Sequence, residues 1–182
     1  MLLGLDLASR LTGWCAGDGS GVPEVGAWTF PPVDGDYGLL LATLEDYLDV
    51  AFGRFAPTEV AYEAPILIAR GKGKRRYGDK LSTLRLLYPM GAFVEWYCRR
   101  AGTPCYEVTV SEIKREVTGN SYAAKDDLVA VARHCGLQLP PGESAKDAAD
   151  AWGAWLVLLR TTDKALSAAW DRRIYTPRGA LI

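Results

Sequence analysis

An acid stands inside the apolar run Leu2-Leu3-Gly4-Leu5-Asp6-Leu7, and no other feature constrains the fold so tightly. The run has the length and composition of a buried strand, in which every position is expected to be apolar. A second acid closes another strand-like run, Val60-Ala61-Tyr62-Glu63, which Pro65 ends. An unpaired carboxylate is costly to bury, so each requires a partner or must lie where its strand reaches the surface.

The rest of the chain builds a frame around these runs. Gly13–Gly17 and Val25–Phe30 are expected to be strands, joined to the first as a meander with short turns. Leu39–Phe55 has apolar residues at helical spacing and predicts a helix. Leu81–Arg100 predicts a long helix with a possible break at Pro89–Gly91, and Cys105–Val108 a short strand. Thr109 with Glu112 matches the capping box that opens a helix, which Gly119-Asn120 ends. Ala123–Cys135, closed by Gly136, and Ser144–Ser167 predict the last two helices. Strands alternating with helices imply an α/β fold with a mixed sheet, the fourth strand joining parallel to the first through a helical crossover. At 182 residues the chain fits one domain over residues 1–165, with 166–182 as a C-terminal tail.

Two further acids, Asp147 and Asp150, lie three apart in a predicted helix and so on one face. Asp147 is explained equally well as a charge near the positive helix start, behind a Ser144 cap. Asp150 lies deeper, among Ala148, Ala149, Ala151 and Trp152. Taken together, Asp6, Glu63, Asp147 and Asp150 suggest a hard-cation site, since Mg²⁺ and Mn²⁺ favour oxygen ligands. Two such ions about 3.5–4 Å apart can clamp a phosphodiester and activate water. The four cysteines contain no CxxC pair, which argues against a zinc knuckle and a disulfide framework and fits a reduced, cytoplasmic setting. The one histidine, His134, reads as structural. No apolar run reaches membrane-spanning length, and the N-terminus has no basic region typical of a signal peptide.

A net charge of −1 conceals an asymmetry: residues 1–63 carry −8 and residues 64–182 carry +7. Six bases and one acid fall in residues 70–80, a segment unable to pack in a core. Its bases Arg70, Lys72, Lys74, Arg75, Arg76 and Lys80 suit DNA phosphates, as a loop following Glu63 would hang beside the metal site. Tyr77 would stack on an unpaired base or pack internally. Lys146, next to the acids, would orient a phosphate or water from just outside the ligand set, or stand solvated.

These blocks resemble a known family. Gly4-Leu5-Asp6-Leu7-Ala8-Ser9-Arg10-Leu11-Thr12-Gly13-Trp14 is similar to the start of RuvC-type Holliday junction resolvases, members of the RNase H-like superfamily. Tyr62-Glu63-Ala64-Pro65 resembles the segment with their second acid. Lys114 to Asn120 and the downstream Lys125 resemble the Lys-x-x-Val-Thr-Gly block and its lysine, and Asp147-Ala148-Ala149-Asp150 the final acid pair. The blocks occur in family order over residues 4–150. The resemblance implies an RNase H-like fold, a five-stranded mixed β-sheet flanked by α-helices, with Asp6, Glu63, Asp147 and Asp150 as catalytic ligands of two Mg²⁺ ions. It implies Lys114 and Lys125 as DNA contacts, and a homodimer that nicks opposed strands of a four-way junction without a small-molecule cofactor or a membrane. Products would be 5′-phosphate and 3′-hydroxyl ends. The compact size resembles phage-type members, which would place the protein in a bacterial or phage-infected cell. The chain departs from the family where an aromatic wedge often follows the second acid: Ile66, Leu67 and Ile68 stand here. An RNA-processing nuclease of the same superfamily and a non-catalytic branched-DNA-binding module are the competing readings. A sugar kinase or actin-like ATPase needs two such subdomains, too many for this length.

Overall fold

The computed structural model describes residues 1–32, 36–65 and 77–176, the side chains of 77–84 excepted. Strands β1 (Leu2–Asp6), β2 (Leu11–Gly17) and β3 (Glu24–Thr29) form the expected antiparallel meander. Helix α1 (Tyr37–Phe55) crosses over, so that β4 (Glu59–Glu63) lies parallel to β1. Helix α2 (Tyr77–Ala101) leads to β5 (Cys105–Val108), parallel to β4. The sheet order is β3-β2-β1-β4-β5. Four helices follow: α3 (Val110–Thr118), α4 (Lys125–His134), α5 (Ser144–Thr162) and α6 (Lys164–Tyr175).

The period-two alternation of strands divides the core into two layers. Leu3, Leu5, Val60 and Tyr62 face α1 and α2, where Leu40, Leu44, Leu48, Met90 and Val94 are buried. Leu2, Cys15 and Ala61 face the other way, against α5 and the helices behind it. This second face is lined with small residues. A Cβ on Gly4 would lie 2.3 Å from the Ala151 carbonyl oxygen, and one on Gly13 2.0 Å from that of Asp147. The helix side answers in kind, with Ala145, Ala148, Ala149, Ala151 and Ala154 all buried. Backbone therefore packs on backbone, and α5 lies closer to the sheet than larger side chains would permit.

The elements depart from the sequence reading in four places. Helix α2 continues through Pro89, because losing one backbone donor is offset by burial of Met90, Val94 and Cys98 on the same helix. Its first turn takes up Tyr77 to Lys80, residues expected to be loop. The N-cap of α5 is Glu143, not Ser144, and its side chain makes no capping bond. Finally, the predicted single helix 144–167 is two helices. Asp163 has extended backbone between them (φ −142°, ψ 101°), and its carboxylate accepts from the amides of Ala165 and Leu166 at 2.9 and 3.0 Å. Most of the expected tail is thus α6, and Trp170 on it is buried against Trp152 and Trp155. Trp170 Nε1 donates to the Gly19 carbonyl at 3.0 Å and Trp155 Nε1 to that of Gly17 at 3.2 Å, tying α5 and α6 to the β2–β3 turn. The Thr109–Glu112 capping box forms as expected. His134 Nε2 lies 3.2 Å from the Thr176 carbonyl, consistent with a structural role. No helix among the described residues is long and apolar enough to cross a membrane.

Candidate metal centre

Leu2, Gly4 and Asp6 alternate onto the α5 face of β1, as Glu59, Ala61 and Glu63 do on β4. Leu2 pairs with Glu59 and Leu5 with Tyr62, so one step further along this register Asp6 and Glu63 stand side by side at the carboxyl ends of two parallel strands. Open α/β sheets bind ligands at such strand ends. Helix α5 then lays Asp150 over the pair. Carboxylate oxygens of Asp6, Glu63 and Asp150 all lie within 4.8 Å of one another. Asp150 is 1% exposed and Asp6 7%. Asp147, one turn earlier and half-buried, lies at the outer edge and is not part of this tight triad.

Lys125, the first residue of α4, reaches into the cluster. Its ammonium pairs with Asp150 and lies 3.8 Å from an Asp6 oxygen and 3.9 Å from one of Asp147. Burial works against its positive charge, but Asp6 and Asp150 more than offset this and hold its pKa above the usual lysine value. One cation cannot neutralise four acids. Burial, then repulsion from Glu63, raises the Asp6 carboxyl well above its ordinary value. Burial, then repulsion from Asp150, pushes Glu63 up to about 7, and Lys125, then Lys114, draw it back only partly. Asp147 and Asp150 are raised as well, chiefly by burial. Glu63 Oε2 is buried without a hydrogen-bond partner, and so is Asp150 Oδ2 apart from its ion pair. A buried carboxylate oxygen without a partner, in an all-oxygen donor set, fits a hard divalent ion, which would take up the charge that Lys125 leaves uncompensated. Asp6, Glu63 and Asp150 are the residues that could hold it.

The other expected residues divide. Lys114, on α3, acts electrostatically on both Glu63 and Asp150 but forms no ion pair among the described residues. Lys146 does not join the cluster: its ammonium binds Glu143 at 3.1 and 3.2 Å and lies 3.8 Å from Asp126, because position 146 faces away from the side of α5 that bears Asp150. Arg70, Lys72, Lys74, Arg75 and Arg76 lie outside the described residues, as do the side chains of Tyr77 and Lys80. Sequence reasoning, through the resemblance, took Lys125 as a DNA contact and did not place its ammonium among the carboxylates, which depends on how α4 docks.

The raised acids predict the pH response of the metal-free protein. Between about 4.5, the ordinary Glu63 value, and about 7, the folded chain binds more protons than the unfolded chain. Stability therefore falls as pH rises through that window. In EDTA the loss is expected to be on the order of 2 kcal/mol, or roughly 4–8 °C in Tm for a chain of this size. Glu63→Gln should flatten the slope; a wild-type Tm that rises between pH 5 and 7 contradicts the assignment.

A mixed sheet in this order with a carboxylate centre at its parallel strand ends, under a close-packed helix, is the architecture of an RNase H-like nuclease fold. Solved structures share the fold. The Thermus thermophilus RuvC in complex with Holliday junction substrate superposes with a TM-score of 0.62 at 17% identity, covering 96% of both chains. The yeast mitochondrial Holliday junction resolvase gives 0.52 at 12% identity, over 92% of this chain and 83% of its own. No protein-family model matches. A curated sequence relative is the crossover junction endodeoxyribonuclease RuvC of Anaeromyxobacter dehalogenans strain 2CP-C, 33% identical over 153 residues, 83% of this chain and 76% of that protein. The chain belongs to the RuvC family.

Proposed function

We propose that the chain is a metal-dependent, structure-selective endodeoxyribonuclease that resolves four-way DNA junctions by paired nicks, leaving 5′-phosphate and 3′-hydroxyl ends. It would serve DNA recombination and repair in the cytoplasm of a bacterial or phage-infected cell. The observation that carries this reading is the buried convergence of Asp6, Glu63 and Asp150 in a chain whose curated relatives bear that activity in their names. Two Mg²⁺ ions, with Mn²⁺ as a substitute, would supply Lewis-acid activation of the phosphodiester and of the attacking water. Asp6, Glu63 and Asp150 would hold them, and Asp147 would serve from the outer edge.

The chain's own residues bind and orient. Lys114 and Lys125 take phosphates beside the cut. The bases between Arg70 and Lys80 neutralise phosphates, so affinity falls steeply with salt. Backbone contacts and the geometry of the branch give selectivity, and base edges contribute less. A homodimer sets two such centres on opposed strands.

The test is a denaturing gel of a labelled mobile four-way junction, a linear duplex of the same sequence and a structured RNA, each with Mg²⁺ and with EDTA. Paired, ligatable nicks in the junction alone, only with Mg²⁺, are expected. Preferential cleavage of the RNA, or cleavage in EDTA, overturns the reading.

A further inference from the structure

The loop joining α3 to α4 connects the two lysines of the centre, Lys114 and Lys125, and is fixed along its length. Gly119, in the left-handed region at φ 74°, ends α3 and donates to the Arg115 carbonyl at 2.8 Å. The Asn120 amide donates to Thr118 Oγ1 at 3.1 Å, and Asn120 Oδ1 accepts from the Tyr122 amide at 3.0 Å. The Ala123 amide donates to the Asn120 carbonyl at 3.1 Å, and that of Ala124 to Asp127 Oδ2 at 2.8 Å. The Ala123 side chain is buried in the core. The backbone at position 122 is thus held from both sides.

The Tyr122 side chain nonetheless stands 92% exposed, more than any other large apolar residue among those described. A single exposed aromatic is ordinary on a protein surface. Its place sets this one apart. It stands three positions before Lys125, so their Cα atoms lie within about 10 Å of each other by chain length alone. The Lys125 ammonium is itself among the carboxylates. An exposed aromatic ring on a rigid turn, three positions before a lysine whose ammonium lies among the carboxylates, has the elements of a platform for an unpaired nucleotide. The cations take phosphate, and the ring offers a flat apolar face to any base. Because the turn is ordered beforehand, stacking costs little backbone entropy.

We infer that Tyr122 stacks on a base adjacent to the scissile phosphate and so positions the strand for cutting. This rests on the junction-nuclease reading above and adds to it a residue that touches the substrate. A stacked base contributes about tenfold or more to affinity.

The test uses the full chain and junctions carrying 2-aminopurine at each nucleotide flanking the mapped cut, bound in Ca²⁺. Wild type is expected to quench the fluorescence at one flanking position. Tyr122→Ala should lose that quench, bind the junction about tenfold more weakly and cut it more slowly, whereas Tyr122→Trp should restore all three. If wild type cuts the junction while Tyr122→Ala matches it in quench and affinity, this inference alone fails. If wild type does not cut the junction, the functional reading fails and takes the inference with it.

Discussion

Asp6→Asn is expected to lower junction cleavage in Mg²⁺ by a thousandfold or more while leaving junction binding in Ca²⁺ within about threefold of wild type. The size follows from the role: divalent-ion activation is worth several kcal/mol of transition-state stabilisation, and each 1.36 kcal/mol is a factor of ten. Asp6 is central to the cluster, beside Glu63 on the sheet and beneath Asp150 on α5. Asparagine keeps the shape and removes one negative charge from a centre where three acids converge. The fold should not suffer, because the lost charge is one whose burial and repulsion already disfavour ionisation. Metal-free Asp6→Asn should therefore be at least as stable as wild type at pH 8. Binding persists because phosphate contacts come from cations elsewhere. Cleavage at the wild-type rate removes the catalytic assignment, and lost binding with intact cleavage removes the division of roles.

Gly13→Ala is expected to be the most damaging small substitution in the described chain. A methyl group there would lie 2.0 Å from the Asp147 carbonyl oxygen, 2.3 Å from its carbonyl carbon and 2.8 Å from the Ala148 nitrogen. All three are backbone atoms, so no side chain can rotate away, and α5 must lift from the sheet. Overpacking of this kind costs about 3 kcal/mol, which for this length is roughly a 10 °C loss in Tm. The shift falls on the turn of α5 that carries Asp147 and is followed by Asp150, so cleavage should fall more than stability alone accounts for. Gly4→Ala, 2.3 Å from the Ala151 carbonyl oxygen, should behave alike. Gly21→Ala, with nothing within 4 Å, is the control and should match wild type. A Gly13→Ala protein as stable and active as wild type contradicts the close packing of α5.

These two residues show where sequence reading succeeds and where it stops. Asp6 was legible because a charge in an apolar strand breaks a local pattern, and the period of two then decides which face it takes. The capping box at Thr109 was legible for the same reason, since its partners are three residues apart. The requirement for glycine at position 13 was not, because the atom that excludes a methyl group belongs to a residue 134 positions away. Lys125 entered through the resemblance, as a DNA contact near the cut. Its place among the acids depends on how α4 docks beside α5, which no local pattern encodes. The break at Asp163 was readable in principle: an aspartate ahead of a new helical run is a capping signal. The helix-forming residues on both sides masked it. For Lys146 the sequence left two roles open, and adjacency in sequence to Asp147 could not choose between them, because neighbours on a helix point about 100° apart.

Calorimetric titration with Mn²⁺ measures the central claim most directly, for it asks whether the buried acids bind a divalent ion at all. Wild type should give saturable heat that strengthens from pH 6 to pH 8 as Glu63 ionises, and the Asp6→Asn/Glu63→Gln variant should give a flat trace. Traces that are identical for the two proteins would contradict the account.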